Sequence, residues 1–335
     1  MYHKADIRLI DTHSESDSGH NHIHIFHQKL ILAFAVLYVV WGSTYLGIRW
    51  GVETIPPFFM AGTRHLSAGL FLYLIMRRRE KIEITRIHWR SAWIIGGLLL
   101  VGGNGGVTWA EQRVPSGLTA LLVATVPLWI MILSWLHKDL SRPGLKEFSG
   151  IILGFLGLGI LIGPEELVGG ESVDSLGALA LFIAALTWSI GSMYSRKAPL
   201  PSSPFLNTAM QMIAGGALLL ILSLVSGEWQ QLNFAAMTTR SILSWAYLAV
   251  FGSLIGFSAY IWLLKVSTPQ KVTTYAYVNP VVAVFFGWAL AGEELSARTI
   301  LASVVIVASV IIITLPKNLN GWPKSLFASK TPIEP

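Results

Sequence analysis

The stretch TYAYVNPVVAVFFGWALAGEELS, Thr274–Ser296, opens with two tyrosines and an Asn-Pro pair, continues apolar to Gly292 and stops at Glu293-Glu294. It is long enough to cross a bilayer, which takes about 20 apolar residues. Pro280 has no backbone N–H to donate and disrupts the turn before it. In lipid such a break is tolerated only where neighbours or a water-filled cavity satisfy the freed carbonyl. Asn279 supplies an amide that both donates and accepts. Tyr275 and Tyr277 supply aromatic surface with hydroxyls. Together they describe a membrane helix lining a polar cavity. The plainer alternative is that Asn279 bridges two helices while the tyrosines sit in the interfacial belt. Lys271 marks the cytoplasmic edge, so Tyr275 is shallow enough for the belt and Asn279 is deeper.

The rest of the 335-residue chain repeats this apolar pattern. It is 53% hydrophobic and 13% charged, where a soluble chain carries about a quarter charged residues. The apolar runs predict spans near 30–49, 57–76, 91–111, 117–136, 145–163, 175–195, 204–225, 241–264, 271–292 and 297–315. Only the second carries charge well inside, at Arg64, with His65 beside it. The fold class is therefore an all-α integral membrane protein of ten transmembrane helices, with no sizeable soluble domain. A His-rich tail (1–29) precedes a five-helix unit (30–163), a second five-helix unit (175–316) and a short tail (317–335).

The first apolar run follows a polar tail and ends without a small-x-small cleavage site, so it is expected to remain as a helix. Cysteine is absent, which excludes disulfides, thiolate metal sites and cysteine nucleophiles. Most of the 24 Lys and Arg residues fall in alternate connections, Arg77, Arg78 and Arg79 among them. The positive-inside rule then puts both termini in the cytoplasm. These basic clusters flank membrane helices, so their partner is the lipid bilayer and not nucleic acid.

The chain also contains itself twice. WGSTYLGIR (41–49) ends the first helix and WSIGSMYSRK (188–197) ends the sixth. VPSGLTALLVATVP (114–127) opens the fourth and TPQKVTTYAYVNP (268–280) opens the ninth. Trp41 and Trp188 stand 147 residues apart, Pro115 and Pro269 154, and Ser141 and Ser296 155. An odd number of helices per half turns the second half upside down, giving two inverted-topology repeats. Such repeats with interrupted helices, here at Pro127 and Pro280, recur in secondary transporters, with the substrate near the midplane.

The stretches LYVVWGSTYLGIR, PPFFMAGTRHLSAG, GNGGVTWAEQRVPSGLTALLVATVPL and TTYAYVNPVVAVFFGWALAGEELS resemble the drug/metabolite transporter superfamily, EamA family, and within it the YedA-type members. The resemblance covers nearly all of 30–316. It implies ten helices in two EamA repeats, a cytoplasmic (inner) membrane address and secondary transport, often export of metabolites or amino acids. Similar family members also carry arginine at the position of Arg64.

The expected function is thus a secondary transporter of a small-molecule substrate. The cavity lining is expected from Trp41, Thr44, Tyr45, Asn104, Trp109, Thr125, Trp188, Tyr194, Tyr260, Tyr277 and Asn279. This aromatic, nearly charge-free set suits neutral, zwitterionic or amphipathic solutes. A sugar-phosphate type anion exchanger would need more buried cations. A non-transporting receptor or structural subunit would not need two inverted halves.

Glu111, next to Arg113, pairs with Lys265 in the repeat alignment. A carboxylate able to bind and release a proton can couple export to proton entry, or it can merely anchor the helix end beside Arg113. Arg64 reads as structural, reaching the outer headgroups or a helix-end carbonyl, with a hold on an anionic substrate left open. Gly150-x-x-x-Gly154 and Gly159-x-x-x-Gly163 offer a candidate homodimer face. The five histidines between His13 and His27 have no fixed ligand spacing, so no metal site is expected. No cofactor is expected either, and without a Walker loop or a nucleophile–base pair the chain does not read as an enzyme.

Overall fold

The computed structural model describes residues 13–114, 119, 122–136, 144–162, 174–291 and 296–314. The longer helices in chain order are α1 (His13–Gly51), α2 (Pro57–Arg79), α3 (Arg86–Ala110), α4 (Val126–Leu136), α5 (Leu145–Ile162), α6 (Ser175–Ser195), α7 (Pro204–Val225), α8 (Thr239–Val266), α9 (Tyr275–Ala291) and α10 (Ala297–Thr314). Among the described residues, six segments are long and apolar enough to cross a membrane: Phe26–Gly51, α2, α3, α6, α7 and α8. The sequence boundary at residue 30 moves, because α1 is already helical from His13 and is continuous with the first span.

Helix starts follow the local chemistry. Asp174, Ser203 and Thr238 cap α6, α7 and α8, accepting from the backbone N–H of Gly177, Leu206 and Ser241; these are short polar side chains of the type that satisfies a helix's first donors. Pro57 and Pro204 open α2 and α7, where the missing N–H has no intrahelical partner to lose. The first donors of α2 are satisfied from far along the chain. The buried Glu228 carboxylate accepts from the backbone N–H of Phe58 at 3.0 Å and of Phe59 at 2.8 Å.

Two helices loosen at mid-span into π-helical turns, Gly97–Gly105 in α3 and Leu248–Phe257 in α8. Such turns disturb the regular ladder and occur frequently at functional sites. Glycine makes the one in α3 packable: a Cβ on Gly103 would stand 2.6 Å from the Trp188 ring, and one on Gly102 2.7 Å from Thr187 Oγ1.

The helices pair in a definite pattern. α2 packs along α7 and α5 along α10; α3 and α4 pack on α6, while α8 and α9 pack on α1. Exchanging α1–α5 for α6–α10 maps this set of pairs onto itself. Apolar side chains such as Leu74, Leu156, Ile221 and Val304 face outward, whereas Arg64, His65, Asn207, Gln211 and Asn279 are buried. That arrangement suits an apolar solvent outside and polar contacts within.

Both prolines expected to break helices behave differently from that expectation. Pro127 is the second residue of α4, and the turn lies just before it at Ala124–Thr125. Pro280 lies inside an unbroken α9; the interruption falls earlier, at Thr273–Thr274, between the short helix Pro269–Val272 and α9. Two glycines of the small-residue face of α5 pack within the chain. A Cβ on Gly150 would meet Ile313 Cγ1 at 2.5 Å and one on Gly154 the Tyr277 ring at 3.0 Å. Gly150 and Gly154 therefore pack on α10 and α9, not on a second copy. Ser141 and Gly163 lie outside the described residues.

Candidate functional site

A cavity of about 90 Å³ opens between α1, α2, α3, α6, α8 and α9, with Val123 and Val126 closing one side. Its aromatic wall is built on Trp41. The Trp41 indole meets Trp188 edge-on at 5.6 Å and Tyr275 edge-on at 4.9 Å between ring centroids. Its Nε1 donates to the Gly252 carbonyl at 3.2 Å, in the π-helical turn of α8. A side chain on Gly256 would collide with the same indole, so bare backbone there lets Trp41 lie against α8. Aromatic pairs in these offset and edge geometries add about 0.5–1.5 kcal/mol beyond the area they bury.

The polar wall is contributed by α2 and α3. Arg64 is 2% exposed and His65 4%. An Arg64 terminal nitrogen donates to Asn104 Oδ1 at 2.7 Å, and His65 Nε2 stands 3.5 Å from the same oxygen. Asn104 itself sits in the π-helical turn of α3. Arg64 thus turns inward and does not reach the headgroups, correcting the structural role expected for it. The expectation of a nearly charge-free lining is revised with it.

Asn279 closes the floor. With its amide oriented to suit its neighbours, the nitrogen donates to the carbonyls of Tyr275 at 3.0 Å and Tyr38 at 3.3 Å. It lines the cavity and also ties α9 to α1, so Asn279 has both of the roles that the sequence alternatives gave it, while both tyrosines are buried.

Of the expected lining residues, Trp41, Thr44, Tyr45, Asn104, Trp188 and Asn279 come together at the cavity. Five do not line it. Tyr260 is fully buried one layer behind, against Trp41 and Trp188, with its hydroxyl on Ser192 Oγ at 2.5 Å. Tyr194 packs on the main apolar core. Thr125 turns its hydroxyl back to the Leu122 carbonyl. Trp109 lines a second, outward cleft with Glu53 and Glu228. Tyr277 faces the other way, onto Phe155 of α5 at 6.1 Å.

Tyr275, His65, Phe257 and Gly252 line the cavity without having been expected there. Tyr275 is 4% exposed and is no interfacial residue. Its spacing of four from Asn279 was the available signal, since residues one turn apart share a helix face.

The charged candidates separate. Glu111 does not pair with Arg113, which lies 3.4 Å from Asp174 and over the Trp109 ring. The cations that act on Glu111 through space are Arg64 and Arg49, and one carboxylate oxygen is buried without a hydrogen-bond partner among the described residues. Lys265 is exposed at the end of α8 and has no part in the cavity, contrary to its alignment with Glu111. On the outer side of α6, the backbone N–H of Gly177 holds the Asp174 carboxyl below the usual carboxylate range, aided by Arg113.

Comparison with known proteins agrees with this architecture. The EamA-like transporter family model matches residues 28–163 and again 175–315. The uncharacterized inner membrane transporter YedA of Escherichia coli (strain K12) is 42% identical over 299 residues, 88% of this chain and 94% of its own. The uncharacterized transporter YoaV of Bacillus subtilis (strain 168) is 26% identical over 85% of this chain and 97% of its own. A protein of known crystal structure superposes with a TM-score of 0.71 at 19% identity, over 86% of this chain and 96% of its own. That last likeness concerns the fold alone.

Proposed function

The chain belongs to the EamA-like transporter family, and on that premise we propose that it is a secondary transporter exporting small metabolites, amino acids or amphipathic compounds among them, across the inner membrane. Ten crossings form two inverted five-helix halves, and alternating access moves the shared cavity from one side to the other. The observation that carries this reading is the cavity itself, walled by helices of both halves. The exchange symmetry of the helix pairs supports the inversion, as do the two family matches and the π-helical turns in the corresponding helices α3 and α8. Ligand sites at the interface of inverted repeats are a recurring transporter design. Relatives described as transporters, one of them in the inner membrane, point the same way.

Both termini are placed in the cytoplasm by the basic connections. A cysteine replacing Arg79 should then react with a membrane-impermeant thiol reagent only from inside; reaction in intact cells from outside would reverse the orientation. Glu111 is the proposed coupling group, because one of its carboxylate oxygens is buried without a hydrogen-bond partner among the described residues. The whole reading is tested with the purified full chain in liposomes. Solute-dependent flux across a panel of neutral, zwitterionic and anionic metabolites supports it, and no flux for any member contradicts it.

A further inference from the structure

The aromatic wall leaves one chemical question open, which is why a guanidinium is held in the cavity at all. A cation buried in the membrane is costly unless it is paired, and Arg64 is 2% exposed. Its recorded partner is the neutral Asn104. The cavity lining holds no Asp, Glu or Lys. Among the described residues no carboxylate stands within ion-pair distance of Arg64, and Glu111 acts on it only through space.

Among the described residues, Arg64 Nε is buried without a hydrogen-bond partner. Buried donors are satisfied in nearly all native structures, so an orphan on a cavity wall marks a missing acceptor. Gly252 keeps the approach open. A Cβ there would stand 3.6 Å from an Arg64 terminal nitrogen and 3.2 Å from Thr44.

We propose that Arg64, steadied by Asn104 and His65, binds the carboxylate of an organic acid whose apolar body lies against Trp41, Trp188 and Tyr275. The guanidinium presents donors in a planar fork that matches a carboxylate. The neighbouring rings give an apolar body of aromatic size a surface to rest on. This names the substrate class of the transport cavity and rests on the transport reading for its role, though the binding site itself does not depend on flux.

The probes are 3-phenylpropanoate and 3-phenylpropanamide, alike in size and different in charge, titrated into the purified full chain in detergent with thermal stabilisation as the readout. A ligand that binds the folded state alone raises its melting temperature. The carboxylate should bind at least tenfold more tightly than the amide. Arg64→Gln should abolish that preference, and Arg64→Lys, which keeps charge without the fork, should retain part of it. Gly252→Ala should weaken the acid more than the amide. Equal binding of acid and amide by the wild-type chain overturns the proposal, as does binding of neither. That comparison stands even where Arg64→Gln does not fold. A folded Arg64→Gln chain that keeps the preference overturns it too. Flux of neutral solutes without a carboxylate preference removes this inference and leaves transport intact; carboxylate binding without any flux does the reverse.

Discussion

Tyr275 and Asn279 stand one turn apart on α9 and line the same wall of the cavity, the asparagine amide donating to the tyrosine's own carbonyl at 3.0 Å. The same amide reaches the Tyr38 carbonyl at 3.3 Å on α1. One side chain therefore ties α9 to α1 and faces the solute space.

Replacing Asn279 with leucine keeps the volume and removes both bonds. Interhelical hydrogen bonds in membranes contribute about 0.6–2 kcal/mol, so Asn279→Leu should lower the melting temperature modestly. Transport should fall further than that loss explains. Flux per folded molecule, measured beside thermal unfolding in detergent, separates the two effects; wild-type flux in Asn279→Leu would take Asn279 out of the pathway.

Glu228 holds the start of α2 from the far side of the molecule, through the N–H groups of Phe58 and Phe59. Leaving a buried donor without a partner costs about 1–3 kcal/mol. Glu228→Ala should therefore speed amide hydrogen exchange at Phe58 and Phe59, and Glu228→Gln, which keeps one acceptor, should do so less. Unchanged exchange in Glu228→Ala would show that the cap does not hold α2.

Two glycines of α5 make a matched pair. A Cβ on Gly157 would stand 2.7 Å from Ile306 Cγ1 of α10, while nothing lies within 4 Å of one on Gly159. Overpacking a tight contact costs about 1–3 kcal/mol, so Gly157→Leu should melt earlier and Gly159→Leu should not. Equal melting of the two variants would mean that α5 and α10 are not in this contact.

Glu111 faces the cations of the cavity side rather than Arg113. Glu111→Gln holds the position neutral throughout the cycle. Stimulation of export by an imposed pH gradient should disappear while downhill exchange continues. Equal stimulation of wild type and Glu111→Gln at matched protein levels would eliminate Glu111 as the coupling group.

Six of the expected spans stand among the described residues, readable from sequence because excluding charge from lipid acts residue by residue, and a run such as 204–225 declares itself locally. Which face of a span points inward was readable only in part. Tyr277 was an expected lining residue and is turned away onto Phe155, since it lies half a turn from Asn279, while Tyr275, which the alternative reading put in the interfacial belt, lines the cavity. Arg64 was misjudged because its partner, Asn104, is 40 residues away and joins it only when α2 and α3 pack. Lys265, which the repeat alignment pairs with Glu111, is exposed at the end of α8 and, like Glu111, does not line the cavity. Glu228 lay in a connection between spans, where nothing local announces that a carboxylate will fold back onto a helix start.

The central claim is that solute passes through the cavity between the two halves. The chain has no cysteine, so a single cysteine replacing Val107 on the cavity wall can be modified alone. Flux in liposomes should stop when Val107→Cys is treated with a bulky methanethiosulfonate reagent, recover on reduction, and be unaffected by the same treatment in wild type. A fully modified Val107→Cys chain that still transports at the untreated rate would contradict the account.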